Sequence, residues 1–234
     1  MEHKRLTLFA GHYGSGKTNI AVNYAIALAK EGKQVCIADL DIVNPYFRTA
    51  DSAKELTSAG VTLISPQFAN SNVDLPALPA EAYRLVDDKT IYGIMDIGGD
   101  DRGAYALGRF VPAIRQENNY RMVYVANCYR PLTRTPEEAV EVMREIEAAC
   151  GLVFTDLINN ANLGPETTPQ TVLDSLDYMQ RLSQLTGLPI FAHTAEVCVA
   201  EGLTGVVTPI LPLCLQEKYF DLPSQKSQPR PLWG

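Results

Sequence analysis

The sequence predicts an α/β fold of three layers, α/β/α, around a mostly parallel sheet of about seven or eight strands. Two observations carry that expectation. Short, near-continuous apolar runs alternate along the chain with segments of helical spacing, the pattern of a parallel sheet covered on both faces. The first apolar run also leads into a glycine-rich turn, Gly11-His12-Tyr13-Gly14-Ser15-Gly16-Lys17-Thr18, with a helical pattern behind it.

Each element has its own signal. Leu6–Ala10 reads as the first strand. Thr18–Glu31 follows with apolar residues at Ile20, Ala21, Tyr24, Ala27 and Leu28, and Gly32 stops it. Gln34–Leu40, Val61–Ser65, Ile91–Asp96, Met122–Asn127 and Leu152–Asn159 read as the next strands. Pro189–His193 is a short one, and Val206–Leu211 is the candidate eighth. Between them, Gly103–Glu117 and Pro136–Ala149 are the clearest helices. Thr135-Pro136-Glu137-Glu138 supplies an N-cap, a proline at the first helical position and acidic residues in the first turn. There is no internal repeat and no internal Pro- or Gly-rich linker. Residues 1–221 are therefore expected to form one P-loop nucleotide-binding domain, followed by a Pro-rich C-terminal tail over 222–234.

Composition narrows the function. The 234 residues are 46% apolar and 20% charged, with a net charge of −7. That acidic balance weighs against nucleic acid and anionic membrane as partners, since phosphate binding needs clustered Lys and Arg. The five cysteines, Cys36, Cys128, Cys150, Cys198 and Cys214, are odd in number and lack C-x-x-C spacing, which argues against a disulfide framework or zinc ribbon. No signal peptide is evident, and no apolar run approaches the ~18 residues that a membrane helix needs. A cytoplasmic location is expected.

The turn over 11–18 matches G-x-x-x-x-G-K-[ST], which predicts a P-loop NTPase fold binding a nucleoside triphosphate with Mg²⁺. Gly11, Gly14 and Gly16 let the backbone curl so that successive N–H groups of the loop, His12, Tyr13 and Ser15 included, face one anion. Lys17 would reach the β- and γ-phosphates, and the Thr18 hydroxyl would ligate Mg²⁺. Asn19 is counted with the loop; it also removes the dinucleotide-binding rival, which needs Gly or Ala at that position.

Hydrolysis further needs carboxylates. In Asp39-Leu40-Asp41 the strand period points both acids the same way at the end of the second strand. Asp96, ending Ile94-Met95-Asp96 before Gly98 and Gly99, has the Walker B pattern of an apolar run closed by an acid. The plainer reading is that these acids cap turns.

In this order, the P-loop, Asp39-x-Asp41 and Asp96-x-x-Gly99 resemble the MinD/ParA/nitrogenase-iron-protein (SIMIBI) class of P-loop ATPases. The phrases GHYGSGKT, DLDIVNPYFR, DIGGDD-x-GA and NNANLGPETT are more closely similar to CobQ/CobB/MinD/ParA-type nucleotide-binding proteins. The resemblance implies that Lys17 is the phosphate lysine and Asp41 the catalytic, water-orienting acid. It implies that Thr18 ligates the metal and that Asp39 and Asp96 hold its water shell. One departure stands out: loops of this class read G-K-G-G-x-G-K-[ST], with a first lysine that crosses a dimer interface. This chain has His12 there, so hydrolysis is slow, another cation such as Arg48 or Arg102 takes over, or His12 acts differently.

The Asn/Thr-Lys-x-Asp sequence of guanine readers is absent, so ATP is expected over GTP. Strand six ends at Asn159-Asn160, and the resemblance makes either one a candidate for the adenine edge, an amide being both donor and acceptor. Arg130 or Tyr129 as a flank to the base or ribose ranks below a structural role. The leading expectation is a Mg²⁺-dependent ATPase working as a homodimeric nucleotide switch, for a partner protein or for maturation of a metal centre. The alternatives are an ATP-binding module without significant turnover, and an ATP-dependent ligase related to the cobyrinate and dethiobiotin synthetases.

Overall fold

The computed structural model describes residues 3–40, 49–64, 80–98 and 106–215. Among them the chain forms one eight-stranded sheet in the order β3-β2-β4-β1-β5-β6-β7-β8. The strands are β1 (Leu6–Ala10), β2 (Val35–Leu40), β3 (Thr62–Ile64), β4 (Tyr92–Ile97), β5 (Tyr120–Ala126), β6 (Asp156–Asn159), β7 (Ile190–Glu196) and β8 (Ile210–Leu213). Every neighbouring pair is parallel. All strands therefore end on one edge, where the loops leading into the helices gather.

Strand alternation divides the apolar side chains between two cores. Phe9, Ile37, Ile94, Val123 and Ile158 pack with Ile20, Ala21, Tyr24 and Leu28 of helix α1 (Lys17–Lys30). Leu8, Ala38, Met95, Tyr124 and Leu157 face the other way. There they meet α3 (Arg84–Asp87), α4 (Val111–Glu117), α5 (Pro136–Cys150) and α7 (Leu176–Thr186), with α2 (Ala53–Ser58) adding Leu56 to the first core and α6 (Pro169–Leu173) packing Val172 into a smaller cluster with Val199 and Leu203. Three layers follow from this division, as the strand pattern predicts.

The helix ends follow local chemistry. At the end of α1, Gly32 takes φ 80°, and Lys33 N–H and Gly32 N–H donate to the carbonyls of Leu28 and Ala29 at 3.2 and 2.9 Å. This is the paired closure that a left-handed glycine allows. Helix α5 starts on a reciprocal capping box: Glu138 N–H donates to Thr135 Oγ1 at 3.2 Å, and Thr135 N–H donates to Glu138 Oε2 at 2.9 Å.

β7 runs on to Glu196, past the expected end at His193, and three other elements differ from expectation for local reasons. The helix expected over Gly103–Glu117 is broken within its described part. A turn follows residues 106–108, and α4 restarts with Pro112 in its first turn, where a missing N–H costs nothing. The sixth strand begins at Asp156 rather than Leu152. Met122 N–H donates to the Thr155 hydroxyl at 3.0 Å, and this side-chain bond stands where a strand ladder would begin. The eighth strand is displaced toward the C-terminus. Val206 and Val207 instead donate their N–H groups to the Leu203 carbonyl and close the turn after α8 (Val197–Glu201). The tail over 222–234 lies outside the described residues. No helix among the described residues is long and apolar enough to cross a membrane.

Candidate nucleotide site

The loop between β1 and α1 sits at the strand-terminal edge, close against the ends of β5 and β6. A Cβ on Gly11 would lie 2.6 Å from the Val125 carbonyl oxygen, and one on Gly16 would lie 2.2 Å from Asn160 Nδ2. Gly14 and Gly16 take φ 73° and 91°, the left-handed region that a side chain would strain. Glycine is thus required twice over at position 16. Ser15 N–H donates to the His12 carbonyl at 3.1 Å, and Ile20 N–H to the Gly16 carbonyl at 3.2 Å, so the loop runs directly into the first turn of α1.

Lys17 and Thr18 are buried at that turn. The Lys17 ammonium donates back across the loop to the His12 carbonyl at 3.5 Å. Asn19 turns along α1, its Oδ1 accepting from Asn23 Nδ2 at 3.0 Å. Asn23 in turn pairs with the chain after β8: its Nδ2 donates to the Cys214 carbonyl at 2.9 Å and its Oδ1 accepts from Cys214 N–H at 2.8 Å. His12 is half-buried, its Nδ1 3.0 Å from the Tyr13 carbonyl, and the Tyr13 side chain is exposed.

Asp39 and Asp96 are register partners on β2 and β4. Both are buried, and strand alternation places them on the α1 side of the sheet, in line with Ile37 and Ile94. Thr49, fully buried, donates its hydroxyl to Asp96 Oδ2 at 3.1 Å. Sequence reasoning missed Thr49, because no motif marks a lone threonine after a strand end. Asp41, Arg48 and Arg102 lie outside the described residues.

The two asparagines after β6 do different things. Asn159 uses both amide hydrogens inside the protein, on Ser175 Oγ at 2.8 Å and His193 Nδ1 at 3.1 Å, while its Oδ1 accepts from Ala161 N–H at 3.2 Å. His193 thereby accepts at Nδ1, and burial lowers its pKa below the ordinary histidine value. Asn160 instead reaches the phosphate loop. Its Nδ2 donates to the Ser15 carbonyl at 2.6 Å, and its Oδ1 accepts from the Thr194 hydroxyl at 2.6 Å. A base contacting either amide would compete with these internal partners.

A second side chain grips the loop from β5. Arg130 Nε donates to the Gly14 carbonyl at 2.9 Å, so Arg130 and Asn160 hold consecutive loop carbonyls from outside. The amide hydrogen between those two carbonyls, that of Ser15, is engaged within the loop on the His12 carbonyl rather than facing an anion as expected, so the two side chains brace a loop already closed on itself. Of the cysteines, Cys36 and Cys150 are buried, Cys128 is half-buried, Cys198 and Cys214 are exposed, and all five are free. Burial raises the Cys36 thiol to about 11, which keeps it protonated and inert.

A family profile described as the CobQ/CobB/MinD/ParA nucleotide binding domain matches residues 6–163. No curated protein matches the chain. Among solved structures, the cell division protein FtsY from Thermotoga maritima is similar at a TM-score of 0.56 and 18% identity, covering 81% of this chain and 60% of that one. FtsY from Mycoplasma mycoides, in space group H32, is similar at 0.53 and 14%, covering 80% of this chain and 58% of that one. The chain thus spans about 60% of the length of the Thermotoga protein, and at such identity the likeness is one of fold.

Proposed function

The chain belongs to the CobQ/CobB/MinD/ParA nucleotide-binding domain family, of the SIMIBI class of P-loop NTPases, and we propose that it binds ATP with Mg²⁺ and hydrolyses it as a nucleotide-driven switch. The observation that carries this reading is a juxtaposition at one sheet edge. The buried Lys17-Thr18 pair opens α1, and the buried, in-register carboxylates of Asp39 and Asp96 lie on the same face. The Thr18 hydroxyl and the two carboxylates are the hard oxygen donors that suit Mg²⁺. Bound Mg²⁺ would neutralise charge on the β- and γ-phosphates. The loop N–H groups and the N-terminus of α1 would hold the phosphate chain, and Lys17 would swing from the His12 carbonyl to the β- and γ-oxygens. Thr49 would fix the orientation of the Asp96 carboxylate through its hydrogen bond. Asp41 is assigned the attacking water. The partner would be a second copy of the chain, with another protein or a metal centre under maturation as the switch's target.

Phosphate release from Mg·ATP, followed at several protein concentrations, tests the reading. We expect the rate per protein to rise with concentration, and Lys17→Ala to lower it by about a hundredfold or more. GTP is run beside ATP, and faster turnover of GTP would sink the adenine assignment. His12 favours a second reading, binding without useful turnover, because a short side chain engaged with Tyr13 stands where the class carries a lysine. An Asp41→Asn variant separates the two: under the switch reading phosphate release falls, and under the binding reading the low background does not change.

A further inference from the structure

We propose that Arg130 is the nucleoside-side binding residue of this site, anchored on the phosphate loop through Nε and offering its guanidinium plane to the base and ribose. The inference rests on the nucleotide-binding reading above and adds a direction to it. Strand order supplies that direction. The loop leaves β1 at the centre of the sheet, with β4 and β2 on one side and β5 and β6 on the other. The carboxylates of Asp39 and Asp96 lie on the β2–β4 side, which fixes that side as the metal and terminal-phosphate end. A phosphate chain lying across the loop then puts its nucleoside over the ends of β5 and β6, where Arg130 stands.

The segment after β5 is built to hold that arginine. Asn127, buried, accepts Tyr129 N–H on Oδ1 at 3.1 Å and Arg130 N–H on its backbone carbonyl at 3.1 Å. Its Nδ2 donates to the Asn162 carbonyl at 3.3 Å, which ties this turn to the one after β6. Thr133 Oγ1 donates to the Asn127 carbonyl at 3.0 Å and closes the turn. Two residues past Arg130, Leu132 takes φ 64°, a left-handed conformation that a branched side chain adopts only at a cost of about 1–3 kcal/mol. Such strain persists where surrounding bonds over-determine it, and it clusters at ligand clamps. Nε is the guanidinium donor committed to Gly14, at 2.9 Å. With Nε anchored, the planar head keeps two Nη groups and a flat face, the features with which arginine stacks on bases and donates to hydroxyls. Leu132 and Leu163 are exposed apolar side chains on the two tied turns.

Binding of ATP, ADP and inorganic tripolyphosphate, each with Mg²⁺, to the full chain and to Arg130→Met tests the assignment, with thermal melting as the check on folding. We expect ATP and ADP to weaken by the same factor, about tenfold more than tripolyphosphate, whose own smaller loss reports the missing Nε bond to the loop. Arg130→Lys, which keeps charge without the plane, should recover less than half of the loss on a logarithmic scale. Equal weakening of tripolyphosphate and ATP would overturn the proposal in favour of a phosphate contact or a deformed loop, and so would undiminished ADP binding. Failure of the unaltered chain to bind ATP, with tripolyphosphate still bound, would instead sink the adenine-nucleotide reading on which the assignment rests.

Discussion

The two edges of the sheet are built from the same polar chemistry to opposite ends. At the edge where strands begin, Arg5 is buried and saturated: its Nη1 donates to the carbonyls of Leu85, Ile91 and Asp88 at 2.8, 3.2 and 3.3 Å, and its Nε pairs with Glu117. Lys89 adds a second cation to Glu117 at 2.7 Å. At the edge where strands end, the loop holds two left-handed glycines and a buried Ser15 hydroxyl with no hydrogen-bond partner among the described residues, and the segment after β5 holds the strained turn at Leu132. Saturation serves stability. Under the proposed function, the strained turn and the open loop serve a ligand that completes them.

Breaking the saturated edge gives the largest expected effect on stability. Arg5→Ala would leave Glu117 and three carbonyls short of their partner, at a cost of about 3–5 kcal/mol. In a chain of this size that lowers the melting temperature by roughly 10 °C. Lys17→Ala, at the other edge, should lower the melting temperature by clearly less than that while, under the proposed function, removing nucleotide turnover. A matched Arg5→Met, Glu117→Leu pair should recover most of the lost stability, because replacing a buried ion pair by apolar groups is often neutral. If the Arg5 and Lys17 variants melt alike, the contrast between edges is wrong.

A smaller effect sharpens the contrast from the loop side. Asn160→Ala removes the donor to Ser15 and leaves Thr194 without that acceptor, a loss of about 1–3 kcal/mol. Its signature should be split. Nucleotide affinity falls along with stability, because the Ser15 carbonyl is no longer held outward. A purely structural brace would change melting and leave affinity alone; paired melts and titrations distinguish the two.

These contrasts were unequally legible in the sequence. The glycine loop between β1 and α1 was readable because its chemistry fixes both residue type and spacing, and Asp39 and Asp96 stood out as acids at strand ends, but their pairing side by side is a matter of β2–β4 register that the strand period of neither strand gives. Arg130 and Asn160 stood out as residues, but not as the side chains that hold the loop. Arg130 and Asn160 lie more than a hundred residues beyond Ser15 and meet it only because β5 lies next to β1 and β6 lies next to β5 on the same side. Strand order is a long-range property that no local pattern encodes. The same limit hid Arg5, whose sequence context is an ordinary basic start to a strand. Where local chemistry dominates, as at the Thr135 capping box, reading and structure coincide. Thr135→Ala should cost about 1 kcal/mol and leave nucleotide binding untouched.

The smallest effect separates the edges by pH alone. Glu117, at the strand-starting edge, has its pKa lowered, first by the hydrogen bond from Arg5 and against the opposing effect of burial. Its stabilisation is present above the unfolded carboxylate value of 4.5 and is lost as pH falls through the lower folded value. His193, near the strand-ending edge, is also lowered, but by burial, which disfavours its charged form. Below the ordinary histidine value of 6.5 the unfolded chain takes up a proton that the folded chain refuses, so stability declines until the folded value is reached and then levels off. Acidification should therefore weaken the fold in two separate windows, the first from His193 and the second from Glu117. Replacing His193 by Gln, which keeps an acceptor for Asn159, should flatten the slope of unfolding free energy between about pH 7 and 5 and leave the acid limb intact. A His193→Gln chain whose upper slope matches the parent would place that titration elsewhere in the molecule.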